Sequence, residues 1–167
     1  MIIKKALKIA TDAHAGQKRK YTFEDYINHP IRVSEMVGLV GGDEDMVAAA
    51  LLHDVVEDTN LVIGDIEDMF GMGIGGMVAD MTSLSKRYPH LSRPDRKYLD
   101  RYQASKIPNK SKIIRLADIL DNVPSIIEYD PDFAPIYIKE KKAMMFHLRG
   151  AHDGLYARAA TLLGLHF

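Results

Sequence analysis

Apolar side chains recur every three to four residues along almost the whole chain, the spacing of one face of an α-helix. Ile3, Ala6, Leu7, Ala10 and Ala13 trace a first helix that ends before Gly16. Residues 17–28 are polar and aromatic without a period and read as a loop. Pro30 stands where a helix can start, and that helix runs to about Gly38. Asp43 is placed as the N-cap of the next, which continues to about Asp58. Short segments around Ile63–Phe70 and Ile74–Met81 are separated by glycines, and residues 83–92 read as loop again. Pro94 and Pro108 suit helix starts. The stretch 108–127 is strongly helical, with Pro124 expected to bend or end it. Pro131 and Pro135 break the chain, and two closing helices fit 136–148 and 152–164, with Gly150 between them. No alternating run persists as a strand. The pattern predicts an all-α fold, a single bundle of seven to nine helices over residues 1–167.

Composition narrows the chemistry. The 167 residues are 47% hydrophobic and 27% charged, an ordinary globular balance. Lys and Arg number 22 against 23 Asp and Glu, a net charge of -1, which disfavours general binding to a nucleic-acid backbone. There is no cysteine, so disulfides, thiolate zinc sites, iron–sulfur clusters and thiol nucleophiles are excluded. Any metal must be held by histidine and carboxylate. No run approaches the ~18 apolar residues of a membrane span. Lys4, Lys5 and Lys8 interrupt the N-terminal helix, which is amphipathic and unlike a secretory signal, so the expected compartment is the cytoplasm.

Two helices carry carboxylates where an apolar face should continue. Val47, Ala50, Leu51, Asp54, Glu57 and Asp58 fall on one helix face that begins apolar and ends in three carboxylates. Ile114, Ala117, Asp118, Asp121, Asn122 and Ser125 repeat the arrangement. A buried carboxylate must be paired, metal-bound or protonated. His29 enters a helix directly before Pro30, and His53 directly precedes Asp54. Two imidazoles and two carboxylates suit a borderline divalent cation such as Mn²⁺, Fe²⁺ or Zn²⁺ better than Mg²⁺ or Ca²⁺.

The order His29, His53-Asp54, Asp118 resembles the HD superfamily of metal-dependent phosphohydrolases. The surroundings sharpen the likeness: Ala13-His14-Ala15-Gly16-Gln17-Lys18-Arg19-Lys20, Tyr26-Ile27-Asn28-His29-Pro30, Ala49 through Thr59, Phe70-Gly71 and Arg115 through Asn122 follow in order. Over residues 5–127 the chain is similar to the guanosine-3′,5′-bis(diphosphate) 3′-pyrophosphohydrolases, the RelA/SpoT hydrolase domains and small Mesh1-like alarmone hydrolases. The resemblance implies one Mn²⁺ on His29, His53, Asp54 and Asp118, other divalent transition metals suiting the same donors. It implies that Glu57 and Asp58 handle the attacking water and leaving group. It places Arg19, Lys20, Tyr26 and Asn122 in the nucleotide pocket, where Lys18 adds positive charge. The partner it implies is a small nucleotide, (p)ppGpp, and neither a nucleic-acid polymer nor a membrane. The expected reaction releases pyrophosphate and leaves GDP or GTP. The chain is too short to hold a synthetase domain as well, so a stand-alone hydrolase is expected; an oligomer has no readable signal.

Departures from the family pattern lie near the substrate. Ile119 and Val123-Pro124 stand where basic residues are usual, and the loop Tyr21-Thr22-Phe23-Glu24-Asp25 replaces a Ser-Gly-Glu-Pro type. They motivate one alternative, another nucleotide or phosphorylated cofactor as substrate. A different class, a nucleotide-binding module without turnover, is opposed by the intact Glu57-Asp58 pair. His14 either faces the pocket or finishes the first helix. Thr82, Lys86 and Arg87 stand either near the site or in solvent. His90, His147, His152 and His166 have no motif company and read as surface or packing histidines. The nine methionines read as core filler.

Overall fold

The structure, a computed structural model, describes residues 1–165. Among the described residues the regular elements are helices: α1 (Ile2–Ala13), α2 (Asn28–Leu39), α3 (Glu44–Leu52), α4 (Val55–Asp58), α5 (Ile63–Phe70), α6 (Met72–Met81), α7 (Arg93–Lys106), α8 (Asn109–Tyr129), α9 (Ala134–Leu148) and α10 (Asp153–Leu162), with a 3₁₀ turn at Leu84–Arg87 and one isolated bridge between Lys18 and Asp25. The all-α expectation holds. If α3 and α4 count as the one helix that the periodicity predicts, the total is nine, within the expected seven to nine.

The chain divides into two compact units, Met1–Thr82 and a second from Ser83 onward. In the first, α1, α2 and α6 all pack on α3, and α5 packs on α6. The composition of α3 explains its central place. Met46, Ala48, Ala49, Ala50, Leu51 and Leu52 are all buried, and a helix apolar on every side belongs in a core. Its alanines let three helices approach closely, while Leu51 and Leu52 each contribute about 1.5–3 kcal/mol by burial. Asp43 caps α3 as predicted, accepting the Met46 N–H at 2.9 Å. Gly42 fits the α2–α3 turn because a Cβ there would meet the Val37 side chain and carbonyl at 2.5 and 2.8 Å.

In the second unit α8 packs on α9 and α10, and α7 on α9 and on the 3₁₀ turn. Pro124 does not end the helix: α8 continues to Tyr129. Its ring is exposed while Val123 and Ile126 beside it are buried, and that burial offsets the lost backbone bond, worth about 3 kcal/mol. The segment 83–92, expected as loop, contains the 3₁₀ turn. Thr82 bonds back to the Val78 carbonyl at 3.0 Å, and Lys86 and Arg87 are exposed. His90 is exposed, and His152 caps α10 by accepting the Leu155 N–H at 3.2 Å. His166 lies outside the described residues. No described helix is long and apolar enough to cross a membrane.

Candidate metal centre

The predicted continuous helix from Asp43 to Asp58 is interrupted where the motif falls. α3 stops at Leu52, His53 and Asp54 link the two helices, and α4 restarts at Val55. The Glu57 N–H donates to the Asp54 carbonyl at 3.1 Å, a tight i→i+3 bond of the kind that closes a short turn. The three carboxylates therefore do not lie on one continuous helix: Asp54 is in the link, and Glu57 and Asp58 are on α4. His29 is the second residue of α2, and its N–H donates to the Tyr26 carbonyl at 3.0 Å.

Both imidazoles are 1% exposed, and their rings meet edge-on with centroids 5.1 Å apart. Their Nε2 atoms converge on one oxygen, Asp54 Oδ2, at 3.4 Å from His29 and 3.2 Å from His53. The His53 Nδ1 lies 2.8 Å from the Ala50 carbonyl. A carbonyl only accepts, so Nδ1 carries the proton. A neutral His53 then directs its Nε2 lone pair at an anionic oxygen, which is repulsive unless a cation, proton or metal ion, stands between them. That donor chemistry fits a divalent transition metal, with the ring tautomer fixed by the backbone as metal-ligating histidines require. Burial alone would raise the Asp54 pKa; positive charge on the facing side, carried by protonated His53 and His29 rings, holds it well below the usual carboxylate range, which again calls for a cation between these groups.

Tyr26 joins this cluster to α4. Its hydroxyl lies 2.7 Å from Asp54 Oδ2 and 3.0 Å from Asp58 Oδ2, so one O–H is shared between two carboxylates. Burial, reinforced by Asp54 and Asp58, pushes the phenol far above its ordinary value and keeps it protonated. His14 is 2% exposed and finishes α1 as its C-cap, and its ring lies against Tyr26 with centroids 4.7 Å apart. Its Nδ1 is 2.8 Å from Gln17 Oε1, and Gln17 Nε2 donates to the Asp58 carbonyl at 3.0 Å. Gly16, at φ +79°, supplies the turn that brings Gln17 back. Glu57 is half-buried on α4.

The basic loop is pinned to α2. Arg19 N–H donates to the Glu24 carbonyl at 2.9 Å, and Glu24 receives both guanidinium nitrogens of Arg32 at 2.9 Å. The Arg19 guanidinium stands 5.9 Å from the Tyr26 ring centre. Lys20 is exposed and bonds the Tyr21 hydroxyl at 3.0 Å. Lys18 forms an ion pair with Asp25 at 2.6 Å.

In the second unit Asp118 and Asn122 are one turn apart on α8, and the Asn122 amide donates to Asp118 Oδ1 at 2.5 Å. Ile119 and Val123 are fully buried, so these positions supply core and no charge. The unit also contains a cavity of about 140 Å³ lined by Arg93, Lys97, Arg101, Arg115, Lys141, Asp100 and Glu140, with Phe133 and Tyr137. Burial pushes the Lys141 ammonium down, against the opposing pull of Asp118. Sequence reasoning missed this cluster and the roles of His14 and Gln17. Asp100 and Lys141 do leave a trace: each falls in an apolar stripe, Asp100 before Ala104 and Ile107, and Lys141 before Met144, Met145 and Leu148.

The chain is similar to several known proteins. The profile of the HD domain family matches residues 6–132. The Drosophila melanogaster guanosine-3′,5′-bis(diphosphate) 3′-pyrophosphohydrolase MESH1 is 38% identical over 157 residues, covering 89% of this chain and 86% of its own. The Xenopus tropicalis protein of the same name is 35% identical over 78% of this chain and 73% of its own. A probable guanosine-3′,5′-bis(diphosphate) 3′-pyrophosphohydrolase of Synechocystis is 47% identical over 85 residues, but this chain spans only 11% of it. A solved structure of a metazoan ortholog of SpoT, described as hydrolyzing ppGpp, superposes with TM-score 0.89 at 31% identity, covering 99% of this chain and 97% of that one.

Proposed function

Because the chain belongs to the HD domain family, we propose that it is a metal-dependent phosphohydrolase that removes the 3′-pyrophosphate of (p)ppGpp and leaves GDP or GTP. One observation carries the reading: two buried imidazole nitrogens at 3.2 and 3.4 Å from a single carboxylate oxygen, with the His53 proton fixed on the far nitrogen. The names of the MESH1 relatives supply the substrate. The family profile runs across the boundary at residue 82, which supports reading residues 1–167 as one catalytic domain.

In this reading His29, His53, Asp54 and Asp118 would hold one Mn²⁺. When bound, such an ion polarises phosphoryl oxygen and lowers the pKa of water. The chain's own groups do the rest. Glu57 and Asp58, on the turn after Asp54, take the proton of the attacking water and return one to the 3′ oxygen as its bond to phosphorus breaks. Arg19 offers a planar cation for the base, and Lys18 and Lys20 offset pyrophosphate charge. Tyr26 adds a ring face beside Arg19, and Asn122 holds Asp118 while lining the pocket. A nucleotide substrate and the absence of cysteine agree with a cytoplasmic setting.

Two variants test the assignment. Asp54→Ala should lose both bound Mn²⁺ and turnover of ppGpp. Glu57→Ala should keep the metal and lose turnover by about 10²–10⁴-fold. Asp54→Ala with wild-type metal content and rate would contradict it. A second reading, hydrolysis of another nucleotide or phosphorylated cofactor, draws support from the buried Ile119 and Val123, which offer no cation where the family has them. A panel of 3′- and 5′-phosphorylated nucleotides separates the two; ppGpp as the poorest substrate would favour the second.

A further inference from the structure

The loop between α1 and α2 does more than carry basic residues. It reaches α4 at two places that have different chemistry. The Tyr26 hydroxyl touches the carboxylates of Asp54 and Asp58 at 2.7 and 3.0 Å. The Gln17 amide holds the backbone of Asp58, donating to its carbonyl at 3.0 Å. His14 orients both partners. Its Nδ1–H faces Gln17 Oε1 at 2.8 Å, which turns the amide so that its NH₂ faces Asp58, and its ring supports the Tyr26 ring at 4.7 Å. The His14 ring is buried, and its Nε2 has no hydrogen-bond partner among the described residues. A purely packing role would be served better by an apolar ring, which leaves no buried acceptor unmet.

α4 is a single turn of four residues, too short to hold its own geometry. Backbone bonds from Glu57 and Asp58 to the Asp54 carbonyl, at 3.1 and 2.9 Å, close the turn, and the Tyr26 and Gln17 contacts add ties from outside it. Resting on the functional reading above, we propose that His14, Gln17 and Tyr26 form a clasp of positioning residues that sets the metal-ligand carboxylate of Asp54 and the proton-handling carboxylate of Asp58 against each other. Tyr26 acts on both carboxylates through its shared O–H. Gln17 acts on Asp58 alone, through the main chain.

This division of labour is what the test reads. Mn²⁺ affinity is measured by titration calorimetry, and kcat and KM for ppGpp at saturating Mn²⁺, in the full chain. Tyr26→Phe removes only the hydroxyl and keeps the ring on His14. It should weaken Mn²⁺ binding about 10–100-fold and lower kcat by a similar factor, with KM within about twofold. Gln17→Met should leave Mn²⁺ affinity within about twofold and lower kcat about threefold to tenfold. Tyr26→Phe with Mn²⁺ affinity and kcat both within about twofold of wild type overturns the clasp. So does Gln17→Met that weakens Mn²⁺ as strongly as Tyr26→Phe, because that outcome means general loosening. If wild type releases no product from ppGpp, the functional reading falls while the Mn²⁺ titrations still decide the clasp.

Discussion

Replacing Glu24 with glutamine should loosen the basic loop without disturbing the core. Glu24 is the loop's main tie: it takes both guanidinium nitrogens of Arg32 at 2.9 Å and the Asn28 amide at 3.3 Å, and its carbonyl takes the Arg19 N–H. The tie opposes a cost, because Phe23 is held at φ +57°, a left-handed conformation worth about 1–2 kcal/mol against a residue with a Cβ. The paired side chains are 39% and 28% exposed, so solvent screening limits the pair to the upper end of the surface range, about 1 kcal/mol. Loss of that amount raises the open population of the loop about fivefold. Amide hydrogen exchange read at Arg19 and Phe23, whose N–H groups close the loop, should therefore quicken about fivefold in Glu24→Gln, while the Leu52 amide in α3 is unchanged. Acid supplies a second reading. The Arg32 hydrogen bonds hold the Glu24 pKa below its ordinary 4.5. A depressed carboxylate contributes fully above the unfolded value and loses its contribution as pH falls through the folded one. Wild-type loop protection should fall below about pH 4.5, and Glu24→Gln should show no such step. Equal exchange rates and equal pH dependence in the two proteins would mean that the Glu24–Arg32 pair does not hold the loop.

Asp43→Ala removes the cap on Met46 N–H and should cost about 1 kcal/mol, a fall in Tm of about 2–4 °C by differential scanning fluorimetry. Mn²⁺ at a hundredfold excess over its Kd should stabilise the chain by about 2.7 kcal/mol, raising Tm by about 5–11 °C, and chelation or Asp54→Ala should abolish the rise.

The candidate metal donors are legible in the sequence because their chemistry is local. His29-Pro30 and His53-Asp54 are adjacent pairs in recognisable company, and carboxylates in apolar stripes are conspicuous. Asp43 was legible for the same reason, as a side chain acting on a backbone three residues away. What stayed hidden depends on tertiary contact. His14, Gln17 and Tyr26 lie around a loop without a period, and nothing in their spacing says that Gln17 and Tyr26 meet α4 or that His14 joins them. The break at His53-Asp54 was invisible because helical periodicity continues across it. Pro124 misled in the opposite direction: its local preference is to stop a helix, and the buried Val123 and Ile126 overrule it. The Asp100 and Lys141 pair was overlooked because isolated charges on α7 and α9 have no motif, although both interrupt apolar stripes.

The proposed reaction breaks the bond between the 3′ oxygen and phosphorus. Wild-type protein loaded with Mn²⁺ is incubated with ppGpp, and the products are resolved by anion-exchange chromatography and phosphorus NMR. Pyrophosphate and GDP should appear in equal amounts, with neither formed by Asp54→Ala. Release of inorganic phosphate alone, or intact ppGpp under conditions where a MESH1 enzyme consumes it, would rule out 3′-pyrophosphohydrolysis by this chain.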